Sequence, residues 1–305
     1  MFGLTTKETF IHQLKEMVET KLGVAVRIIE FPKQGFTYTG MVLDKSNEES
    51  ASVPVCNLDA LYDDYCAHPT YFSEIVDNVC DILTTKPDYD LNKFFDWEYV
   101  STRLYFSPVE ISSHQDYLKD KVYFQVGDFA MIVRILVDIL PDKSIASTPV
   151  SKQLLENSLK VSEKEVIDTA KLVYSKVFDL NMRKITRSDN GTDVKNNKNK
   201  FLEDIYIVSA TVAGTDLNID GAAMIFMDGV MEMVHERIGD YYLVPVNTEK
   251  VVCVPKALQF NFTADKMKEI LSTIKIILDA GISKNPDFFL SDNLYEFNGK
   301  NLIKC

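Results

Sequence analysis

The sequence predicts an α+β fold in which amphipathic helices pack on mixed or antiparallel sheets. At residues 6–43, and again at 221–254, a segment whose apolar residues have helical spacing is followed by two segments in which apolar and polar residues alternate, as they do in strands. Helices and hairpins in this order favour an α+β fold over a doubly wound parallel sheet. Hydrophobic residues make up 46% of the chain, which excludes a largely disordered protein.

The chain has 305 residues, enough for two or three domains. We predict three folded units, each built as α+β, and one linker. The predicted bounds are an N-terminal unit 1–95, a middle unit 96–186, a polar linker 187–200 and a C-terminal unit 201–305.

In the N-terminal unit, capping-box spacing from Thr5 to Glu8 predicts the start of a helix. This helix is expected to end at Gly23. The spacing of apolar residues then predicts strands at 24–31 and 36–43, followed by a pair of helices over 57–83 with a break at His68-Pro69.

In the middle unit, the clearest signal is a second capping box, Ser162 to Glu165, which opens a helix that runs to Val177. The elements predicted before it are strands 100–106, 121–126 and 129–137, an irregular stretch 141–147 and a short helix 149–157.

In the C-terminal unit, a long apolar periodicity predicts one helix from Gly221 to Ile238, with Gly239 as its C-cap. The flanking elements are predicted as a strand 205–208, hairpin strands 241–246 and 251–254, a last helix capped by Thr263 and ended by Gly281, and a closing edge strand within 287–297.

Composition restricts the partners that we expect. A net charge of -12 argues against a general nucleic-acid binder, because phosphate contacts need clustered Lys and Arg. The sequence has no apolar run of roughly 18 residues and no signal-peptide pattern at its N-terminus. Its five cysteines include no C-x-x-C pair, so reduced thiols are expected. We therefore expect a cytoplasmic protein whose partner is another protein, not nucleic acid or a membrane.

One spacing is compatible with a metal site. Glu232 and His235 form a Glu-x-x-His pair on one helical face, and Asp228 lies one turn earlier. In di-iron bundles such a pair supplies two ligands, but the full site needs a second pair that this chain lacks. The alternative is a solvated polar stripe. These three residues are metal candidates only, and we expect no cofactor.

Motifs for nucleophilic or phosphate chemistry are missing from the sequence. It contains no G-x-S-x-G, no G-x-G-x-x-G and no G-K-[ST]. We therefore assign no catalytic residue.

Methionines are concentrated in the predicted helix 221–238. A Met-rich face can form an adaptable binding surface, and the alternative is helical core. Met224, Met227 and Met231, together with Glu249, are our candidate interaction residues.

Several short stretches carry a family resemblance. They are VPVCNLDALYDDYCAH from Val53, STRLYFSPVEISSHQDYLKDKVYFQVGDFAMIV from Ser101 with Asp128-Phe129-Ala130 near its end, the run Asp220-Gly221-Ala222-Ala223, and Phe289-Leu290-Ser291-Asp292-Asn293-Leu294-Tyr295. Together they resemble an uncharacterised "domain of unknown function" family of roughly 300-residue proteins from gut anaerobes (clostridia) and their mobile elements. Where that family tends to carry Pro-Ser-Ser-x-His-Glu, this chain has Pro245-Val246-Asn247-Thr248-Glu249-Lys250. If the string is catalytic in the family, the resemblance implies that this chain is inactive.

The first functional hypothesis is a non-enzymatic, cytoplasmic interaction protein encoded by a phage or mobile element. One alternative is an acidic mimic of nucleic acid that inhibits a host defence nuclease. A second alternative is a metal-dependent hydrolase that uses Glu232 and His235. The sequence leaves all three open.

Overall fold

The computed structural model divides the chain into two compact units, Met1–Phe94 and Phe95–Cys305. The predicted middle and C-terminal units both fall within the second of these, and the predicted linker 187–200 lies outside the described residues. The α+β class is confirmed by helices and antiparallel sheets in both units. The structure describes residues 5–33, 36–44, 54–85, 90–139, 145–185, 205–261, 264–279 and 288–305.

In its described residues, the first unit has a small antiparallel sheet, three α-helices and a 3-10 turn (Pro69–Tyr71) between the last two of them. Its elements are α1 (Lys7–Leu22), β1 (Val26–Lys33), β2 (Phe36–Leu43), β3 (Cys56–Asn57), α2 (Leu58–Ala67) and α3 (Phe72–Thr84). Thr6, not Thr5, caps α1, because its side-chain oxygen accepts the Thr9 N–H at 3.3 Å. Gly23 ends the helix with a φ of 69°. Apolar faces of the helices and the sheet form one core, which includes Phe10, Leu14, Val18, Met41, Leu58, Val76 and Val79.

The second unit begins with a four-stranded antiparallel sheet. Strand β6 lies at its centre and pairs with each of the other three strands. The elements of this part are α4 (Trp97–Ser101), β4 (Leu104–Glu110), α5 (Gln115–Leu118), β5 (Tyr123–Val126), β6 (Phe129–Ile139), β7 (Ile145–Pro149), α6 (Lys152–Leu154), a π-helical turn (Leu155–Leu159) and α7 (Glu163–Val177).

The remaining elements form a six-stranded antiparallel sheet in the order β13-β12-β10-β11-β9-β8. They are β8 (Phe178–Lys184), β9 (Tyr206–Val212), a 3-10 segment (Gly221–Phe226), α8 (Val230–Ile238), β10 (Tyr241–Asn247), β11 (Lys250–Pro255), a second 3-10 segment (Lys256–Asn261), α9 (Ala264–Asp279), β12 (Tyr295–Phe297) and β13 (Leu302–Lys304). Helix α9 covers one face, where Met267 and Leu271 pack with Val244 and Val252. On the other face, the Tyr241 hydroxyl donates to the Met231 carbonyl of α8 at 3.3 Å.

The single helix predicted over 221–238 is wrong. Two helical segments occupy this span, and Gly229, with a φ of 80°, is the N-cap of the second. Every residue of the segment Gly221–Phe226 is buried. A segment enclosed on all sides has no polar face, so periodicity could not locate its end.

Other predicted elements also differ, among them the stretch 141–147, predicted as irregular, in which β7 begins at Ile145. The strand predicted at 100–106 starts later, because α4 runs to Ser101. The short helix predicted at 149–157 is the last residue of β7 followed by α6 and the π-helical turn. The predicted closing strand β12 is not at the edge, because β13 pairs beside it. The predicted caps Thr263 and Gly281 lie outside the described residues.

Two further features bear on the expected class of protein. Within the described ranges, no helix has the length and apolar content that crossing a membrane requires. The five cysteines are unpaired, and Cys56, Cys80 and Cys253 are buried.

Candidate interaction surface

An open groove of about 380 Å³ lies between strand β8 and helix α8. Its lining residues are Leu180 and Met182 from the strand and Met233, Glu236 and Arg237 from the helix. Residues two apart share one face of a strand, and residues three or four apart share one face of a helix. The local sequence of each element therefore presents its side chains to the same space. Met233 is 41% exposed, so the groove offers apolar surface to solvent.

Strand β8 is the last strand of the six-stranded sheet. The Ala213 N–H donates to the Val177 carbonyl at 2.7 Å, and the Ile185 N–H donates to the Ile205 carbonyl at 2.9 Å. Because bonded residues alternate along an antiparallel strand, the odd-numbered residues of β8 bond to β9. The even-numbered residues direct their N–H and C=O groups to the outer edge. Among the strands that the structure describes, none pairs with that edge.

Two basic side chains lie at one end of the groove. Lys184 follows Leu180 and Met182 on the same face of β8, and its Nζ lies 5.6 Å from the centroid of the Tyr206 ring. The Cζ atom of Arg237 lies 5.8 Å from the same centroid. Glu236 adds a carboxylate to the lining.

The three metal candidates lie on or beside α8 and have separate surroundings. The Lys171 ammonium donates hydrogen bonds to both carboxylate oxygens of Asp228, at 3.1 Å to Oδ1 and 2.9 Å to Oδ2. The Asp228 side chain is 82% exposed. Glu232 is exposed. The His235 Nε2 lies 2.9 Å from an Asp240 carboxylate oxygen. No three His, Cys, Asp or Glu side chains within the described ranges are grouped so as to hold a metal ion.

The interaction candidates are divided between core and surface. Met224 is 6% exposed and belongs to the core, whereas Met227 and Met231 are partly buried. Burial raises the pKa of the Glu249 carboxyl; the Lys250 charge opposes this shift and the Asp220 charge adds to it. Of the methionines on α8, Met233 is the one that lines the groove.

A buried carboxylate joins the two sheets of the second unit. Glu110, at the end of β4, is 5% exposed. One of its oxygens accepts the Ser291 hydroxyl at 3.0 Å, the Tyr295 hydroxyl at 3.2 Å and an Asn293 side-chain N–H. Burial is the main reason that the pKa of Tyr295 is raised. The carboxylate therefore holds the segment before β12 against β4.

Residues in or shortly after three of the four stretches that carry the family resemblance lie beside this carboxylate. Phe129, directly opposite Glu110 in the sheet, has its ring centroid 4.8 Å from that of Phe226 and 5.0 Å from that of Tyr295. Phe129 and Tyr295 belong to two of the stretches quoted from the sequence, and Phe226 lies three residues after a third, which ends at Ala223. Glu110 lies in one quoted stretch and its three donors lie in another, but no motif in either predicted a buried carboxylate.

A second polar cluster, also missed from sequence, surrounds a partly buried arginine of β6. The Arg134 Nε donates to the Tyr105 hydroxyl at 3.2 Å, and its Nη2 donates to the Ser147 hydroxyl at 2.9 Å. Burial, with a contribution from the Asp220 charge, raises the pKa of Tyr105 to about 12. This arrangement ties strands β4, β6 and β7 of the four-stranded sheet together.

Comparison with known protein families shows to which family the chain belongs. The model of a family described as "Family of unknown function (DUF5688)" matches residues 7–298. No curated protein and no solved structure shows significant similarity to the chain.

Proposed function

Because the chain belongs to the family of unknown function DUF5688, whose description names no activity, we propose a function from its own surface: it is a non-enzymatic protein that acts by binding another protein. In this proposal it works in the cytoplasm, and a phage or conjugative element encodes it. The groove between β8 and α8 is the observation that carries the proposal.

Two properties of the groove support binding to a protein. Apolar side chains of Leu180, Met182 and Met233 line a space that is open to solvent, and methionine side chains adapt to varied partner surfaces. Met233 is also exposed to solvent, at 41%. Exposed apolar surface is typical of interaction sites.

The test is site-specific photo-crosslinking in the cells that express the protein. A photoreactive amino acid at position 182 should give a discrete crosslinked protein, which Met233→Glu should abolish. The matched control places the same amino acid at Ile276, which is 75% exposed on α9. Crosslinking that is absent at 182, or equal at both positions, contradicts the proposal.

The two alternative functions predict different results, one for the salt dependence of binding and the other for metal content. An acidic mimic of nucleic acid, which the net charge of -12 favours, would bind a basic nuclease with an affinity that falls steeply with salt. Binding through the groove would retain an apolar, salt-insensitive part. A hydrolase built on Asp228, Glu232 and His235 would retain stoichiometric metal that His235→Ala removes.

A further inference from the structure

We propose that the occupant of the groove is an extended, acidic segment of the partner protein, which adds to β8 as a further strand. Two of its apolar side chains fill the groove, and one carboxylate lies beside Lys184 and Arg237. This inference rests on the proposed function and names the kind of segment that the surface recognises.

The hydrogen-bonding pattern of β8 supports an added strand. The even-numbered residues direct their backbone groups outward, and the same residues direct their side chains to the α8 side. An added strand would therefore bond to the backbone of Leu180 and Met182 while its own side chains meet theirs. One extended chain would thus bond to the edge of β8 with its backbone and fill the groove with its side chains.

The spacing of the groove supports two apolar anchors. Leu180 and Met182 are alternate residues, so their Cα atoms lie about 6.6 Å apart along the strand. Alternate side chains of an added strand have the same spacing. Met233 closes the groove from the helix side.

The charges fix the position of the acidic side chain. Lys184 and Arg237 flank the Tyr206 ring at the end of the groove. Glu236, on the lining, and Glu232, exposed one turn before it on α8, disfavour a carboxylate in the middle. On the opposite face of β8, the exposed Asp179 and Arg183 have opposite charges. The partner's carboxylate is therefore expected two residues from its nearer apolar anchor.

The experiment selects binders from a phage-displayed library of random ten-residue segments on the full-length protein. Segments that also bind the Met182→Glu variant are removed first. The expected sequences contain two apolar residues at alternate positions, and an acidic residue two positions beyond one of them. Enrichment without alternation, without the acidic residue, or of no sequence at all overturns the inference.

The selected segment is then made as a labelled peptide, and its affinity is measured by fluorescence anisotropy. N-methylation of the alternate residues that face the β8 edge should weaken binding about tenfold, because it removes backbone hydrogen bonds. N-methylation of the residues between them should have a smaller effect. Equal effects at both sets overturn the added strand.

Charge exchange tests the acidic end. The double variant Lys184→Glu, Arg237→Glu should lose about tenfold in affinity for the peptide and recover it when the peptide's acidic residue is replaced by lysine. Ile276→Glu is the control and should change nothing. Each variant is first shown to unfold at the temperature of the native protein. Displacement of the peptide by single-stranded oligothymidine would instead favour a nucleic-acid ligand.

The two proposals can fail separately. Crosslinking at position 182 together with failure of the peptide tests leaves a protein partner that binds through a folded surface. Failure of both removes the groove as an interaction site.

Discussion

Glu110 shows how one residue can hold distant parts of the chain together. Its carboxylate is buried, yet three donors from one short segment satisfy it. Hydrogen bonds to a charged acceptor are stronger than neutral ones, and they compensate for the loss of hydration. The side chain is therefore expected to contribute to stability, although no cation within the described ranges pairs with it.

Replacing Glu110 tests this contribution. Glu110→Ala leaves three donors without their acceptor and should lower the free energy of unfolding by about 3 kcal/mol. Glu110→Gln keeps an acceptor but removes the charge, so about half of that loss is expected. Urea unfolding followed by circular dichroism measures both. The exposed Glu156, changed to the same residues, is the control. A Glu110→Ala loss within 0.5 kcal/mol of the control, the usual range for surface substitutions, would contradict this role.

No local sequence pattern indicates that Glu110 is a buried hydrogen-bond acceptor. Ser291 lies 181 positions from Glu110 along the chain, and nothing local to either one encodes their contact. The resemblance to a family did single out the stretch 101–133, which contains Glu110, and the segment 289–295. The resemblance identified those residues but not the hydrogen bonds between them.

The same limit applies to secondary-structure elements that lack a distinctive face. The segment Gly221–Phe226 and α8 look like one helix in sequence because apolar residues recur through both. Strand β8 was not predicted, although Phe178, Leu180 and Met182 alternate with polar residues. Three apolar positions are a weak signal on their own. The methionine candidates therefore did not include Met233, which lines the groove on its helix side, and the strand side was not predicted.

Two glycines in this region should respond differently to substitution. A Cβ at Gly221 would lie 2.5 Å from the Ala210 carbonyl oxygen and 2.6 Å from its nitrogen, both backbone atoms. Gly229 has open space around it but a φ of 80°. Gly221→Ala should therefore cost about 3 kcal/mol through overpacking, and Gly229→Ala about 1 kcal/mol through strain.

Asparagine distinguishes these causes, because it tolerates a left-handed backbone better than alanine does. Gly229→Asn should be less destabilising than Gly229→Ala, whereas Gly221→Asn should be worse than Gly221→Ala. Thermal unfolding of the four variants measures the order. If asparagine is the milder substitution at both positions, crowding does not explain Gly221.

At the scale of the whole molecule, the sequence predicted the α+β class from the order of helices and hairpins. The sequence also predicts a linker at the polar stretch 187–200. Strands β8 and β9 pair along their full lengths from either side of that stretch, from Phe178↔Val212 to Lys184↔Tyr206. Pairing across a polar insertion joins its flanks into one sheet, which composition alone does not reveal.

This pairing predicts which fragments fold. A chain of residues 95–305 contains both sheets, Glu110 and its three donors, and should unfold cooperatively by circular dichroism. Residues 1–94 have their own core and should do the same. Residues 201–305 lack β8 and leave β9 as an unpaired edge, so this fragment should remain unfolded or aggregate. Cooperative unfolding of 201–305, or its absence in 95–305, would place the boundary at the polar stretch instead. Because the groove needs both β8 and α8, residues 95–305 should also form the photo-crosslink at position 182.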